Sequence, residues 1–375
     1  MQRCRSTERP DWQGKFAALG FTFHSADGGY WNESACYRFT ADEIDELEAA
    51  TQELQRLALA AVEHIVREAR CAEMRIPPAF VPLVKRAWKN DTPSLYGRFD
   101  LAYDGRQAPK LLEYNADTPT SLLETAVAQW QWLEETGRPD QFNSLHEKII
   151  ARWRALATAW PAGTTCHFSC VKDNEEDRIT VEYLRDTAMQ AGLATAFVHI
   201  EDLGWNGASF VDLDDCPVNA WFKLYPWEWL MREPFGAHLA TATLDLVEPA
   251  WKALLSNKAI LAVLWELFPD HPNLLPAYLT PDYLGTDFVS KPFFSREGAN
   301  VAFSGGLREI KTDGPYGAEG YVYQARAHLP AFDGCYPVIG AWIVGDEPAG
   351  IGIREDITPI TTNRSQFVPH YFEES

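Results

Sequence analysis

Two short segments carry charged and amide side chains at a spacing that could bind a metal ion. Arg98 and Asp100 lie two residues apart. Glu113 and Asn115 repeat this spacing, so on extended strands each pair would share one face. The turn sequence Asp104-Gly105 between them predicts a hairpin that brings the four side chains together. Carboxylate and amide oxygens suit Mg²⁺, and an adjacent arginine could bind a developing oxyanion. A charged hairpin with surface ion pairs is the alternative.

A second segment has the residue types of a phosphate-binding loop. Residues 290–300, SKPFFSREGAN, place Lys291 at the end of a predicted strand, before a loop that contains Gly298. Backbone amides of such a loop can bind phosphate oxygens while the lysine reaches them. The Walker A pattern is absent from the sequence. An ordinary hairpin turn remains the alternative.

Two further basic residues carry weaker signals. Lys258 precedes an apolar, helical run, and a lone lysine usually lies on the surface. Arg354 ends a predicted strand and is followed by Glu355 and Asp356, so it could bind phosphate or form a surface ion pair.

Helices and a hairpin are predicted to position these residues in the first part of the chain. Thr40 and Glu43 have the form of a capping box, and apolar residues at helical spacing follow to near Arg70. A shorter helix is predicted over 81–88. The hairpin comprises strands 95–101 and 110–115, and helices are predicted over 122–135 and 145–160.

A βαβ unit is predicted next, and it implies a parallel sheet. Its parts are a strand over 165–169, a polar loop over 171–177, a helix over 178–190 and a strand over 194–199. Ligand sites in open sheets lie beyond the carboxyl ends of the strands. Glu175 and Glu176 lie in the predicted loop at such an end, where two carboxylates would attract an ammonium group.

The remainder of the chain turns from helical to β-rich, so the fold class is mixed α/β, or α+β. Further strands are predicted at 220–223, 288–290, 301–303, 321–324, 337–344 and 349–354. Cys166, His167 and Cys170 could suggest a metal site, but they fall on a predicted buried strand and are interpreted as core residues.

Composition narrows the function classes. The 375 residues include 33 Lys+Arg and 53 Asp+Glu, for a net charge of −20. This charge disfavours nucleic-acid binding and favours cationic small molecules such as amines. The seven cysteines contain no CxxC pair and are interpreted as reduced thiols. We expect no signal peptide, no membrane span and a cytoplasmic location, because no apolar segment is long enough.

Several stretches together resemble the synthetase part of the glutathionylspermidine synthase family. The resemblance covers nearly the whole chain, and it is carried by GRFDLAYDG (97–105), LLEYNADTPTSLLE (111–124), FKLYPWEWL (222–230), VLWELFPDHPNLLPAY (263–278), SKPFFSREGAN (290–300) and GIGIRED (350–356). It implies a carboxylate–amine ligase with an ATP-grasp fold, and it implies ATP and Mg²⁺ as cofactors.

The resemblance also implies roles for individual residues. The implied Mg²⁺ ligands are Asp100, Glu113 and Asn115. The implied catalytic residues are Arg98, which would stabilise the transition state, and Arg354 on the phosphate side. The residues implied at ATP are Arg98, Asp100, Lys258, Lys291, Gly298, Gln324, Pro359, Ile360 and Thr361. The residues implied at the other substrates are Thr118, Glu175 and Glu176.

The order of these residues implies a rearranged ATP-grasp, because the metal ligands precede the nucleotide lysines. The expected divisions are a helical region (1–90), the metal-binding hairpin with its helices (91–160), a pre-ATP-grasp βαβ sub-domain (161–235) and a nucleotide-binding lobe (236–375).

The expected function is therefore an ATP- and Mg²⁺-dependent ligase that joins a small carboxylate or peptide to an amine, a polyamine being one candidate. We expect no amidase activity, since the chain has no room for the family's amidase domain. Leu224 stands where a hydroxyl residue is expected to hold glutathione, so glutathione is not the expected substrate. The alternatives are a Mg²⁺-dependent ATPase or phosphotransferase, and a nucleotide-binding module without an amide product.

Overall fold

The computed structural model describes residues 1–305 and 310–374, which form a mixed α/β fold with several sheets. In this part of the chain the strands are β1 (Gln2–Arg5), β2 (Ala35–Thr40), β3 (Tyr96–Ala102), β4 (Lys110–Asn115), β5 (Thr165–Ser169), β6 (Ala194–Phe197), β7 (Gly204–Trp205), β8 (Phe210–Val211), β9 (Ala220–Lys223), β10 (Asp245–Val247), β11 (Ala277–Tyr278), β12 (Phe288–Pro292), β13 (Ala302–Phe303), β14 (Ile310–Lys311), β15 (Tyr321–Ala325), β16 (Tyr336–Val344), β17 (Glu347–Asp356), β18 (Gln366–Val368) and β19 (His370–Glu373).

Helices connect these strands. They are α1 (Trp12–Ala18), α2 (Ala41–Arg67), α3 (Val81–Lys89), α4 (Gln129–Thr136), α5 (Leu145–Ala157), α6 (Glu175–Gln190), α7 (Trp227–Leu230), α8 (Lys252–Leu255) and α9 (Ile260–Leu267). A π-helical turn, Glu124–Ala128, precedes α4. Short 3₁₀ turns occur at Thr22–Gly28, Arg70–Ala72, Pro78–Phe80, Ile200–Asp202, Phe235–Ala240 and Pro281–Tyr283.

The predicted hairpin is confirmed, and it belongs to a five-stranded antiparallel sheet of order β18-β17-β16-β3-β4. Arg98 pairs with Asn115 across the two strands, and Asp100 pairs with Glu113. The pairing shifts register directly after Asp100. The Phe99–Tyr114 pair lies between these two pairs and points to the other face, so the four side chains singled out from the sequence are neighbours on one face of the sheet.

A second five-stranded antiparallel sheet, of order β11-β15-β12-β13-β14, carries the lysine-bearing segment. Lys291 lies on its central strand β12, opposite Val322 of β15. Gln324 of the same neighbouring strand lies opposite Val289. Lys291 and Gln324 thus come from adjacent strands of one sheet, which places them close enough to share a site.

The predicted parallel sheet is also confirmed, with order β10-β9-β5-β6 and with α6 as the crossover from β5 to β6. The predicted loop over 171–177 is wrong in its second half, because α6 begins at Glu175. Asn174 is the helix cap, and its side chain accepts a hydrogen bond from the Asp177 amide at 3.0 Å. Glu175 and Glu176 therefore occupy the first turn of a helix, where carboxylates are stabilised by the exposed N–H groups.

Cys166, His167 and Cys170 are buried, which confirms the interpretation of these residues as core. In the described ranges, His, Cys, Asp and Glu side chains form no group of three or more that could hold a metal ion. No helix there is long and apolar enough to cross a membrane.

The long helix α2 supplies much of the core beneath the sheets. It packs against β16, β17 and α9. Its buried apolar residues are Ile44, Leu47, Ala50, Leu54, Leu57, Ala58, Ala61, Val62 and Ile65. Its capping box is confirmed, since the Thr40 hydroxyl accepts from the Glu43 amide at 3.3 Å and the Glu43 carboxylate accepts from the Thr40 amide at 2.9 Å.

The Thr40 cap is expected to contribute to the stability of the folded chain. Thr40→Ala should lower the free energy of unfolding by about 1 kcal/mol, because the first turn of α2 loses a hydrogen-bond acceptor. Thr280→Ala is the matched control, since exposed Thr280 also precedes a helical turn but makes no cap hydrogen bond. Urea unfolding of both variants checks this. Equal losses in the two variants would contradict it.

Candidate active site

Three of the predicted ligands meet on one face of the hairpin. The Asn115 amide nitrogen donates to Asp100 Oδ2 at 3.1 Å and to Glu113 Oε1 at 3.2 Å. All three side chains are half-buried. A 180° rotation of the Asn115 side-chain amide would exchange the positions of its nitrogen and its oxygen. Asp100, Glu113 and Asn115 could then present oxygen atoms to one common point. Such a set suits Mg²⁺, which fills its remaining positions with water and phosphate oxygens.

Arg98 is fixed beside this cluster. Its Nε donates to Asp100 Oδ1 at 2.7 Å, and Nη2 donates to Oδ2 at 3.1 Å. Its Nη1 donates to the Thr120 carbonyl oxygen at 2.7 Å. Gly340, opposite Asp100 on β16, makes room for it, since a Cβ there would lie 2.7 Å from Arg98 Cδ. Arg98 is thus held in one orientation toward the carboxylate.

Two buried lysines reach the hairpin from other parts of the chain. Lys258 Nζ lies 3.0 Å from Glu113 Oε2 and donates to the Ser295 carbonyl oxygen at 2.6 Å. Lys291 Nζ donates to the Leu112 carbonyl oxygen and to Gln324 Oε1, both at 2.8 Å. The structure therefore brings Lys258 and Lys291 to the carboxylate cluster, a proximity that the sequence spacing does not indicate.

The pKa values reflect this arrangement of charges. Burial raises the pKa of Asp100. Burial also acts to raise the pKa of Glu113, but the charges of Lys258 and Lys291 outweigh it and lower that pKa to about 2. Burial lowers the pKa of Lys291 to about 8. Each buried charge therefore depends on its neighbours for compensation.

A mostly apolar cavity, here called the apolar cavity, opens on one side of the carboxylates. Its lining residues are Asp100, Leu112, Glu113, Val289, Lys291, Gly298, Val301, Phe303, Gln324, Ala325, Ala327, Leu329, Val338, Pro359, Ile360 and Thr361. The Gln324 amide is already engaged, since it accepts from Lys291 and donates to the Leu111 carbonyl oxygen at 2.9 Å.

The loop after Lys291 closes this cavity against residues 359–361. Gly298 has φ +69°, and a Cβ at this position would lie 2.5 Å from the Thr361 carbonyl oxygen. A glycine is therefore required for the close approach. The Ser295 hydroxyl is buried without a hydrogen-bond partner among the described residues. It is a free polar group next to Lys258, as a phosphate-binding loop would need.

A second, more polar cavity, here called the polar cavity, is also lined by the carboxylates. Its lining includes Tyr30, Arg98, Asp100, Glu113, Asn115, Thr118, Glu176, Asp177, Leu224, Trp229, Arg296, Glu297, Gly298, Arg354, Thr361, Thr362, Asn363 and Arg364. Asp100, Glu113, Gly298 and Thr361 line both cavities. The carboxylate cluster therefore stands at the junction between an apolar and a polar space.

The two predicted acids at the start of α6 separate in the structure. Glu176 lines the polar cavity. Glu175 is exposed, accepts a hydrogen bond from the Thr22 hydroxyl and does not line the cavity. Asp177, which the sequence analysis did not single out, lines the cavity instead, and burial with repulsion from Glu176 raises its pKa to about 7.

Arg296 is a cavity residue that sequence reasoning missed, although it lies in the quoted stretch SKPFFSREGAN. Its Nη1 donates to the Thr118 hydroxyl, and its Nη2 donates to Glu228 Oε1, both at 2.8 Å. Its buried Nε has no partner among the described residues. The side chain lines the cavity, and only two of its five N–H donors are used within the described part of the protein, so it could bind a carboxylate.

Arg354 lines the polar cavity, but most of its donors serve the protein. Nε donates to the Ser365 carbonyl oxygen and Nη2 donates to the Thr362 carbonyl oxygen, both at 2.9 Å. In this structure Arg354 therefore stabilises the segment 359–365. Residues 359–361 of this segment line the apolar cavity, and residues 361–364 line the polar cavity.

Two buried ion pairs that the sequence did not indicate contact the residues that follow the hairpin. Lys223 Nζ lies 2.9 Å from Asp117 Oδ1, and Asp117 Oδ2 accepts from the Trp227 amide at 2.8 Å. Lys252 Nζ lies 3.3 Å from Glu248 Oε2 and donates to the Ala116 carbonyl oxygen at 2.9 Å. Both pairs fix the chain directly after Asn115.

Comparison with known proteins relates this chain to synthetases and ligases. The family model described as glutathionylspermidine synthase preATP-grasp matches residues 3–373. A Haemophilus influenzae protein, provisionally named an acid–amine ligase, is 44% identical over 97% of each chain. A Crithidia fasciculata trypanothione synthetase is 32% identical over 78% of this chain. The matched region covers about half (49%) of that protein's length.

Among solved structures, a glutathione synthetase-like effector from Globodera pallida superposes with a TM-score of 0.57 at 11% identity, over 98% of this chain and all of that one. This likeness shows a shared overall fold. The match over residues 3–373 and the relative at 44% identity confirm the resemblance drawn from the sequence: the chain belongs to the glutathionylspermidine synthase family.

Proposed function

We propose that this chain is an ATP- and Mg²⁺-dependent ligase that joins a carboxylate to an amine through an acyl phosphate, on a rearranged ATP-grasp fold. The observation that carries the proposal is the position of Asp100 and Glu113 at the junction of two cavities of different character. Such a junction would hold a nucleotide and a second substrate beside the same charged groups, and catalysis of phosphoryl transfer rests on positioning and charge.

The apolar cavity is the proposed nucleotide site. Its Val, Phe and Leu side chains suit an adenine ring, and Lys291 and Glu113 lie at its polar end. Lys258 and Lys291 would exchange their present partners for phosphate oxygens. The loop at Gly298 and the segment 359–361 would enclose the phosphates, with the Ser295 hydroxyl as a further donor.

Asp100, Glu113 and Asn115 would hold Mg²⁺, which when bound supplies positive charge against the phosphates. Arg98 would face the oxyanion that forms when an amine attacks the acyl carbon. Its two bonds to Asp100 fix its plane before substrate arrives, so little reorganisation accompanies the reaction.

The polar cavity is the proposed site of the acid and the amine. Arg296, Thr118 and Arg354 supply donors for a carboxylate. Glu176 and Asp177 supply negative charge for an ammonium group, which favours a polyamine or another cationic amine. Leu224 lines the same cavity and donates no side-chain hydrogen bond, which supports an acid other than glutathione.

The proposal is tested by supplying ATP, Mg²⁺ and a mixed pool of carboxylates and amines. A ligase releases one phosphate for each amide formed, and mass spectrometry identifies the product by its ATP-dependent gain in mass. Phosphate release without any new amide would favour the alternative of an ATPase or phosphotransferase. Nucleotide binding without phosphate release would favour a binding module.

Two hairpin variants should fail in different ways. Asp100→Asn removes a charged ligand, so it should weaken metal-dependent activity in a way that extra Mg²⁺ partly restores. Arg98→Ala leaves the ligands in place, so kcat should fall by about 10²–10³ without rescue by metal. Mg²⁺ titrations of both variants beside the parent chain measure this.

The division of roles fails if added metal rescues neither variant, or rescues Arg98→Ala as well as Asp100→Asn. Circular dichroism is the control for folding, since both changes remove members of one ion pair.

The adjacent residues Glu175 and Glu176 of α6 provide a test variant and a matched control for the proposed amine site. At pH 8, Glu176→Lys should raise the KM of the amine about tenfold or more and leave that of ATP nearly unchanged, because a lysine would repel the ammonium group. Glu175→Lys is the control, since Glu175 lies outside the polar cavity. Equal effects of the two changes, or a rise confined to the KM of ATP, would reject the assignment of Glu176.

A further inference from the structure

A buried carboxyl group that the proposed chemistry does not use lies close to the polar cavity. Glu124 begins the π-helical turn and is 1% exposed. Its Oε1 accepts a hydrogen bond from the Tyr30 hydroxyl at 2.8 Å. Removing a carboxyl group from water is costly unless it is compensated, so its position needs a physical reason.

Hydrogen bonds connect Glu124 to Arg354. The Tyr30 hydroxyl lies 3.0 Å from Ser121 Oγ, and Ser121 Oγ accepts from Arg354 Nη1 at 3.4 Å. The Arg354 guanidinium also stands over the Tyr30 ring, 4.9 Å from its centre. Tyr30 therefore touches both the carboxyl group and the arginine.

Arg354 in turn holds the segment 361–365, which contributes lining residues to both cavities. It donates to the carbonyl oxygens of Thr362 and Ser365. Thr361 lines both cavities, and Thr362 lines the polar one. A change in the position of Arg354 would therefore displace residues that line the proposed nucleotide site.

The backbone around Glu124 is held in uncommon conformations. Ser121 has φ +66°, in the left-handed region that non-glycine residues seldom adopt. The turn Glu124–Ala128 is π-helical, a feature found often at functional sites. These conformations direct the Ser121 hydroxyl and the Glu124 carboxyl group toward Tyr30.

We propose that Glu124 is a positioning residue for the ligase reaction: acting through Tyr30 and Ser121, its negative charge holds Arg354 and the segment 361–365 in the arrangement that binds the nucleotide. The inference rests on the proposed function, because it concerns the same nucleotide site.

The charge of Glu124 depends on pH. The charged groups that face it are Glu176 of α6 and Arg354 of β17, and Tyr30 is its titratable partner. Burial and repulsion from Glu176 raise the pKa of Glu124 to about 7. Below this pH the carboxyl group is neutral, and Glu124→Gln resembles it. Above this pH the parent chain has the charge that attracts Arg354, and the glutamine variant lacks it.

The test compares the Kd of a non-hydrolysable ATP analogue with a β,γ-imido bridge, in the presence of Mg²⁺. The ratio of the Kd of Glu124→Gln to that of the parent chain should rise from near one at pH 6 to roughly fivefold at pH 8. The ratio removes the titration of the nucleotide itself, which both proteins share. Glu175→Gln is the control, and its ratio should stay flat.

Two further variants test the connection. Tyr30→Phe removes the linking hydroxyl, so at pH 8 it should weaken binding to a similar degree, and the double variant with Glu124→Gln should be no weaker than either single change. In a Glu176→Gln background the rise of the ratio should move to lower pH, because one repelling charge is gone.

Thermal unfolding supplies a readout without nucleotide. A carboxyl group whose pKa is raised by folding stabilises the folded state when protonated, so the parent chain should lose melting temperature relative to Glu124→Gln as pH rises from 5 to 7. A parent chain that binds no nucleotide would reject the proposed function and this inference together. Nucleotide binding with a flat ratio, additive effects in the double variant, or a constant difference in melting temperature would overturn the inference alone.

Discussion

The site depends on the cost of placing two carboxylates side by side in a half-buried position. Asp100 and Glu113 face each other across the hairpin, and two like charges removed from water repel strongly. Arg98, Lys258 and Lys291 compensate them. These cations come from the hairpin itself, from the residues before α9 and from β12. The carboxylates therefore bring three distant segments to one point, and in the proposed reaction the same cations would bind phosphate.

Charge compensation also connects the hairpin to the parallel sheet. Asp117, two residues after Asn115, pairs with Lys223 at the end of β9, and both side chains are fully buried. Breaking such a pair by removing one partner typically costs about 3–5 kcal/mol. Arg296, in the loop after β12, is likewise paired with Glu228 of α7. The hairpin, the β9–α7 region and the loop after Lys291 are thus connected to one another by charged contacts.

The sequence predicted what depends on local spacing. The hairpin followed from residues two apart around Asp104-Gly105, and the start of α2 followed from its capping box. Lys258 could be placed only by family resemblance, because its contact with Glu113 arises from chain folding over a long separation. The start of α6 was missed because Asn174 caps the helix within an acidic run that suits a loop equally well. Glu124 ends the quoted stretch 111–124 but was given no role, since its burial is a tertiary property.

The most direct test of the account follows an oxygen atom from the acid to the phosphate. A carboxylate that supports turnover with an amine is labelled with ¹⁸O in its carboxyl group and incubated with ATP, Mg²⁺ and that amine. Activation as an acyl phosphate predicts one ¹⁸O in the inorganic phosphate released for each amide formed, because the acyl carbon–oxygen bond breaks when the amine attacks. Phosphate that carries no label from the acid would contradict the account, since water would then have cleaved the nucleotide.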